Sequence, residues 1–154
     1  MDIRALESFI VEAKAACYVG DGGRLPSSRP GSHDIGWQRG DWRYLDSYYG
    51  GTDFPGQEVV WHRDEPVWAM NYFGTVTNPD LIDASRAGTV IKAALSALYR
   101  DEKRFLGGFR FEHRFGRYLD ESTGEVSGFS GREVILVDGR EAYALLYHGG
   151  LVTA

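Results

Sequence analysis

Hydrophobic residues at the start of the chain recur at three- and four-residue steps: Ile3, Leu6, Phe9, Ile10, Ala13 and Cys17, with Glu7, Glu12 and Lys14 placed off that line. This period predicts an amphipathic helix, and Asp2, whose carboxylate suits free backbone N–H groups, predicts its amino-terminal cap. From Gly20 to Gly40 the pattern dissolves. Pro26-Ser27-Ser28-Arg29-Pro30-Gly31 and the glycines around it exclude a regular helix there. Trp42 to Tyr49 is dense in aromatic residues and reads as a strand closed by Gly50-Gly51. Glu58 to Arg63 and Pro66 to Phe73 read as the two strands of a hairpin turning at Asp64-Glu65. Asn78 and Pro79 then predict a second helix, Asn78 as cap and Pro79 in the first turn, where its missing N–H costs nothing. Its apolar stripe is Leu81, Ile82, Val90, Ile91, Ala94, Leu95 and Leu98, with Gly88 a break or kink. Further on, Phe109, Phe111, His113 and Phe115 alternate with Arg110, Glu112 and Arg114, the period of a half-buried strand. Ser122-Thr123-Gly124 reads as a turn, and Asp138-Gly139 joins Glu133–Val137 to Arg140–Tyr147 as a hairpin. The pattern predicts an α+β fold, a twisted antiparallel sheet of about six strands packed against two α-helices. It shows no internal repeat and no low-complexity segment.

Composition narrows this picture. A chain of 154 residues fits a single domain over 1–154, and 4 Trp, 9 Tyr and 8 Phe beside 20 Gly favour antiparallel sheet and tight turns. The net charge of −5, with only Lys14, Lys92 and Lys103 as lysines, argues against nucleic acid as a partner. The uncharged run from Pro66 to Pro79 is far short of the ~20 apolar residues a membrane helix needs. The amino terminus lacks the basic and apolar regions of a signal peptide, and Cys17 is alone, so a cytoplasmic protein without disulfides is expected. No metal or cofactor is expected either. His33, His62, His113 and His148 have no paired spacing, there is no P-loop, and Gly20-Asp21-Gly22-Gly23 leads to Pro26 rather than into a helix.

Candidate chemistry follows from strand register. With Asp64-Glu65 as the turn, Trp61 opposes Trp68 and Val59 opposes Met70 on one face; Glu58 opposes Asn71, Val60 opposes Ala69 and His62 opposes Val67 on the other. A carboxylate facing a carboxamide among small side chains makes either the floor of a pocket or a solvated polar pair. A slip of one residue would exchange the two faces. Asp46 shares its strand face with Trp42, Tyr44 and Tyr48, where lost hydration would raise its pKa toward an acid–base range, unless that face is wet. His148 closes the last strand before Gly149-Gly150, a position open to a ligand or simply a strand end. Arg29, in a loop dense with donors, offers a fork for an anion, although turn chemistry explains the same residues. Cys17, on an apolar stripe, reads as inert core.

The motifs Ser27-Ser28-Arg29-Pro30, Gly40-Asp41, Tyr44-x-Asp46-x-Tyr48-x-Gly50, Phe54-x-Gly56-x-Glu58, Pro66-x-Trp68-x-Met70-Asn71-Tyr72-x-Gly74 and Tyr147-His148-Gly149-Gly150 extend over nearly the whole chain. Together they resemble a bacterial family known only as a domain of unknown function, found alone or behind an XRE-type helix-turn-helix in proteins labelled transcriptional regulators. The resemblance picks out Asp46, Glu58, Asn71 and His148 but implies no activity. Only one helix precedes the domain, whereas a helix-turn-helix module needs at least two in tandem, so DNA binding is not carried over. The expectation is a stand-alone domain that binds a small organic molecule in a pocket walled by Tyr44, Tyr48, Trp68 and Tyr72, with Asp46, Glu58, Asn71 and Arg29 as polar contacts. The competing expectations are a cofactor-free enzyme using Asp46 or Glu58 with His148 in acid–base catalysis, and an interaction module that forms a homodimer through its aromatic surface.

Overall fold

The computed structural model describes residues 2–19 and 23–153. Helix α1 spans Ile3–Val19 and begins where the Asp2 carboxylate accepts from the Arg4 N–H at 2.9 Å. The strands β1 (Arg24–Leu25), β2 (His33–Arg39), β3 (Trp42–Tyr48), β4 (Phe54–His62) and β5 (Glu65–Val76) follow. Helix α2 (Ala84–Ser96) continues as a π-helical segment over Ala97–Glu102. Then come β6 (Phe109–His113), β7 (Gly116–Glu125), β8 (Gly128–Val137) and β9 (Arg140–Leu151). All nine strands form one antiparallel sheet in the order β1-β2-β3-β4-β5-β9-β8-β7-β6.

The α+β reading with two helices agrees with this architecture, but about six strands is wrong; there are nine among the described residues. Two of the additional strands lie in the irregular-looking Gly20–Gly40 stretch, where Gly31 (φ +80°) turns the chain into β2. Gly20, Asp21 and Gly22 themselves lie outside the described residues. Another, β7, runs straight through Ser122-Thr123-Gly124, which pair with Gly131, Ser130 and Phe129 of β8 instead of turning. The second helix starts later than expected. Asn78 accepts from the Asp80 N–H in a turn, and Asp83 is the cap, accepting from the Arg86 N–H at 2.8 Å.

The hairpin between β4 and β5 turns one residue earlier than the sequence suggests. Arg63 (φ +53°) and Asp64 (φ +65°) are the turn residues, His62 pairs with Glu65, and a bulge between Val60 and Trp61 shifts the register beyond it. Positive φ at both centres gives the turn twist that matches the strands. Val60 therefore faces Trp68, Glu58 faces Met70 and Gln57 faces Asn71. The expected Trp61–Trp68 pair does not exist. Trp68 is fully buried, donating from Nε1 to the Val126 carbonyl at 3.1 Å, while Trp61 lies on the other face, under the Arg43 guanidinium.

One face of the sheet is covered by both helices. Its core joins Leu6, Phe9, Ile10, Val90, Ala94 and Leu98 of the helical layer to Tyr44, Val60, Trp68, Tyr118, Ile135 and Tyr143 of the strands. The other face is open and carries the exposed Phe73 and Leu146, which pair with each other.

An internal repeat organises the whole, although the unaided sequence reading finds none. Arg43-Tyr44-Leu45-Asp46 in β3 recurs as Arg117-Tyr118-Leu119-Asp120 in β7. Phe54-x-Gly56-x-Glu58-Val59 in β4 recurs as Phe129-x-Gly131-x-Glu133-Val134 in β8, and Tyr72-x-Gly74 in β5 as Tyr147-x-Gly149 in β9. Register repeats with them. Asp46 opposes Glu58 as Asp120 opposes Glu133, and Gly56 opposes Tyr72 as Gly131 opposes Tyr147. Each half is one helix followed by a four-strand meander, β2–β5 in the first and β6–β9 in the second, and the short β1 is added at the edge of the first. Tyr72 pairs with Tyr147, Asn71 with His148 and Phe73 with Leu146, so a local two-fold passes between the two tyrosines.

Candidate active site

Beneath the helices, the inner sheet face leaves a cavity of about 580 Å³. Its floor comes from β3, β4, β5, β8 and β9, its roof from α1 and α2, and Gly50–Thr52 stand at one edge. The size lies within the range of small-molecule sites, roughly 300–1,000 Å³. Ala87, Ile91, Leu95, Phe54, Val76 and Leu145 supply apolar wall; Asp46, Glu58, Glu133, Lys14, Tyr72 and Tyr143 supply polar groups.

Asp46 is 2 % exposed. Its Oδ1 accepts from the Tyr72 hydroxyl at 2.7 Å, and its Oδ2 from the Tyr18 hydroxyl at 2.9 Å. Glu58 stands directly opposite on β4, also 2 % exposed. Two carboxylates facing each other across a strand pair repel, and burial strengthens the repulsion. Lys14, rooted in α1 and 1 % exposed, answers one of them: its Nζ lies 2.7 Å from Glu58 Oε1 and 2.5 Å from Oε2. Asp46 has no such cation at contact distance. Burial, and then the Glu58 charge, push its pKa up to about 7, against the hydrogen bonds from Tyr72 and Tyr18 and the more distant Lys14.

Glu133 repeats this chemistry from β8. Burial first, and then the opposed Asp120, push its pKa up to about 8, and its Oε2 has no hydrogen-bond partner among the described residues. The Tyr143 hydroxyl, on the same cavity wall, is likewise unpartnered. Asp120 accepts from the Tyr147 hydroxyl at 2.7 Å, as Asp46 does from Tyr72. The two halves differ in what covers them. Around Asp120, side chains including Leu98, Tyr99 and Phe105 leave only about 20 Å³, room for about one water, whereas the Asp46 side is open. Burial drives the Cys17 thiol up to about 12, so Cys17 stays protonated beside the cavity and is a poor nucleophile.

The expected site residues divide between the two faces. Asp46, Glu58, Tyr48 and Tyr72 converge on the cavity. Tyr44 and Trp68 share the inner face as core side chains outside the lining. Asn71 and His148 do not join them. They pair with each other on the open face, where Asn71 Oδ1 accepts from Gln57 at 2.9 Å, because the bulge at Val60/Trp61 leaves the β4–β5 register an odd step from the expected one and so reverses the parity assumed for Asn71. His148 alternates with the inward Tyr147 and is exposed, so it cannot serve Asp46 as a proton partner. Arg29 is committed to tying its loop to the end of β3. Its guanidinium donates to the Ser47 hydroxyl at 2.7 Å and lies over the Tyr49 ring, while buried Asp34 accepts from the Ser28 N–H and the Ser47 hydroxyl.

Sequence reasoning missed Lys14, Tyr18, Glu133 and Tyr143. Lys14 lies four residues after Ile10 and three before Cys17, on the buried side of α1, a spacing that a charge-based reading discards. Glu133 was signalled by the repeat of Phe-x-Gly-x-Glu. No group of three or more metal-binding side chains occurs among the described residues, and no helix there is long and apolar enough to cross a membrane.

The fold and the cavity define a duplicated α+β protein whose two meanders share one sheet and whose helical layer encloses a carboxylate-lined chamber. A family model described as a domain of unknown function (DUF5680) matches residues 46–152, from β3 to the end of the sheet, and the chain belongs to that family. No curated protein and no solved structure matches it.

Proposed function

We propose that this protein binds a small organic molecule in the cavity between the helical layer and the sheet. The observation that carries the reading is Asp46, a buried carboxylate in an open chamber with hydroxyl donors but no cation at contact distance. Such a group is costly to keep without a role, and buried acids with displaced pKa values concentrate at binding and catalytic sites. The apolar walls would supply affinity and the few polar groups orientation.

A cavity-filling variant tests this directly. Gly88 lines the chamber on the same face of α2 as Ala84, Ile91 and Leu95, and a Cβ added there meets no atom within 4 Å. Gly88→Trp should keep or raise the melting temperature, since glycine inside a helix costs about 1 kcal/mol relative to alanine. Screening a chemically diverse fragment library by protein NMR should give saturable shifts at Ile91, Leu95 and Leu145 in the wild type, and Gly88→Trp should abolish them. Absence of any cavity-directed fragment in the wild type would refute the reading.

A second reading rests on Asp46 titrating near 7. A carboxylate with that pKa, held by Tyr72 and Tyr18, is suited to general-base chemistry on the same bound molecule, without cofactor and without His148.

A further inference from the structure

The duplication supplies a mould for the cavity, because the second half fills the space that the first half keeps open. Across the seam Trp68 stacks on Phe129 at 5.8 Å and 18°. Under the local two-fold the counterpart of Trp68 is Tyr143, which stacks on Phe54, the counterpart of Phe129, at 6.3 Å and 16°. In the second half a third ring completes the cluster: Phe105 stands edge-on to Trp68 at 5.9 Å and to Phe129 at 5.6 Å. Among the described residues no ring caps Phe54 and Tyr143 together in this way. Tyr72, 6.2 Å from Phe54, answers to Tyr147, 6.1 Å from Phe129, and not to Phe105.

What answers to Phe105 in the first half is the cavity. Phe54 and Tyr143 belong to its wall, whereas Trp68 and Phe129 are buried in the core. Two further differences keep it open. Val126 is buried, and its carbonyl accepts from the Trp68 indole N–H. Counted back from Phe129 and from Phe54, Val126 corresponds to Gly51, which stands at the cavity edge without a side chain. Overhead, α2 turns Ala84, Ala87 and Gly88 to the chamber, nothing larger than a methyl group. Phe105 also borders the same small void as Asp120 and Tyr147, so its counterpart position lies beside Asp46 and Tyr72. Resting on the small-molecule reading above, we infer that the occupant carries an aromatic ring, seated edge-on against Phe54 and Tyr143 as Phe105 is against Trp68 and Phe129, with a polar substituent toward Asp46 and Tyr72. Edge-to-face contacts between rings are favourable beyond the apolar area they bury. The site should therefore prefer an aromatic ring to a saturated ring of the same size, although burial of area alone favours the saturated one.

The test compares three alcohols that share one polar group: phenethyl alcohol, cyclohexylethanol and octanol, each titrated into the protein by NMR. Phenethyl alcohol should bind about threefold to tenfold more tightly than cyclohexylethanol, the scale of an edge-to-face pair. Intermolecular Overhauser contacts should place its ring protons against the rings of Phe54 and Tyr143 and the methyl groups of Ala84 and Ala87. Phe54→Leu should bring the phenyl-to-cyclohexyl ratio of affinities to about one, whatever it does to either affinity alone. The contacts in the wild type decide the seat of the ring even where that variant fails to fold. Cyclohexylethanol or octanol binding as tightly as phenethyl alcohol, or a ring seated away from Phe54 and Tyr143, would overturn the aromatic assignment and leave the small-molecule reading standing. Where all three alcohols are silent, the fragment screen decides. Hits whose rings contact Phe54 support the assignment, hits that bind elsewhere in the cavity or carry no aromatic ring overturn it alone, and an empty screen overturns both.

Discussion

At the residue scale the decisive pair is Lys14 and Glu58, because neither can reach water. Removing one member of a buried ion pair leaves the other charged and unpaired, which costs about 3–5 kcal/mol, whereas replacing both with apolar groups is often neutral. Glu58→Gln should therefore lower urea-derived stability by about 3–5 kcal/mol, and Lys14→Met combined with Glu58→Leu should recover most of that loss. A merely solvated carboxylate would give less than about 0.5 kcal/mol, the usual range for surface substitutions. Asp46 behaves differently because its charge is the unfavourable form. Its carboxyl titrates near 7 when folded against 3.8 for the free group, so between pH 5 and 7 the native state holds a proton the unfolded chain has lost. This contribution stabilises the fold at the acid end of that window and disappears as pH rises through 7. The slope from one such proton is about −1.4 kcal/mol per pH unit. Asp46→Asn should remove that share of the slope, checked by urea unfolding at half-unit steps from pH 5 to 8.

At the scale of elements, the two tyrosines that hold the acids depend on glycines beneath them. A Cβ on Gly56 would sit 2.2 Å from the Tyr72 hydroxyl, and one on Gly131 would sit 2.1 Å from the Tyr147 ring. Each tyrosine lies across its neighbouring strand because that strand offers no side chain at the crossing. Gly56→Ala should push Tyr72 off Asp46, lowering stability by about 1–3 kcal/mol as overpacking does, and raising the Asp46 pKa further because a hydrogen bond to its ionised form is lost. Carbon-13 NMR of the Asp46 carboxyl reads that shift; an unchanged titration would show that Tyr72 is not positioned by the glycine. Much of this arrangement was legible in sequence. Both helices, the shared strand face of Asp46, Tyr44 and Tyr48, and the Asp138-Gly139 turn follow from periodicity and turn chemistry, and the last closes with positive φ at both residues. The β4–β5 register did not follow, because Arg63-Asp64 is an uncommon pair for positive φ and the bulge at Val60/Trp61 leaves no mark in residue type. The earlier turn alone would have kept every side chain on its expected face; the bulge sent Asn71 to the open one. Strands β1 and β2 were hidden for another reason: their residues are mostly exposed or half-buried, so hydrophobic alternation is weak.

At the scale of the whole molecule, duplication raises the question of whether two modules fold as one. The repeat halves meet along β5 and β9, whose register runs without interruption from Trp68 opposite Leu151 to Val76 opposite Tyr143. Across this seam Trp68 of the first half stacks on Phe129 of the second at 5.8 Å, and Phe105 meets both rings edge-on. Lys14 of α1 also lies over the Tyr99 and Phe105 rings, so the first helix packs against the second half as well as its own. Neither meander owns a complete core. A half removed from its partner would expose the β5 or β9 edge and the faces of these aromatic rings, both strong drives to aggregation. The protein should therefore unfold in one cooperative transition despite its repeat, with calorimetric and van't Hoff enthalpies agreeing within error, as small single domains do. A substitution in one half, such as Ile135→Ala at a fully buried position, should lower a single shared melting point and should not split the transition. The cost should be about 2–5 kcal/mol, read equally by tryptophan fluorescence, which reports the first half and, through Trp68, its seam with the second, and by far-ultraviolet circular dichroism, which reports both. Two separated transitions, or a fluorescence midpoint that stays at the wild-type value while the dichroism midpoint falls, would show that the halves are independent and that the β5–β9 seam is only a weak junction.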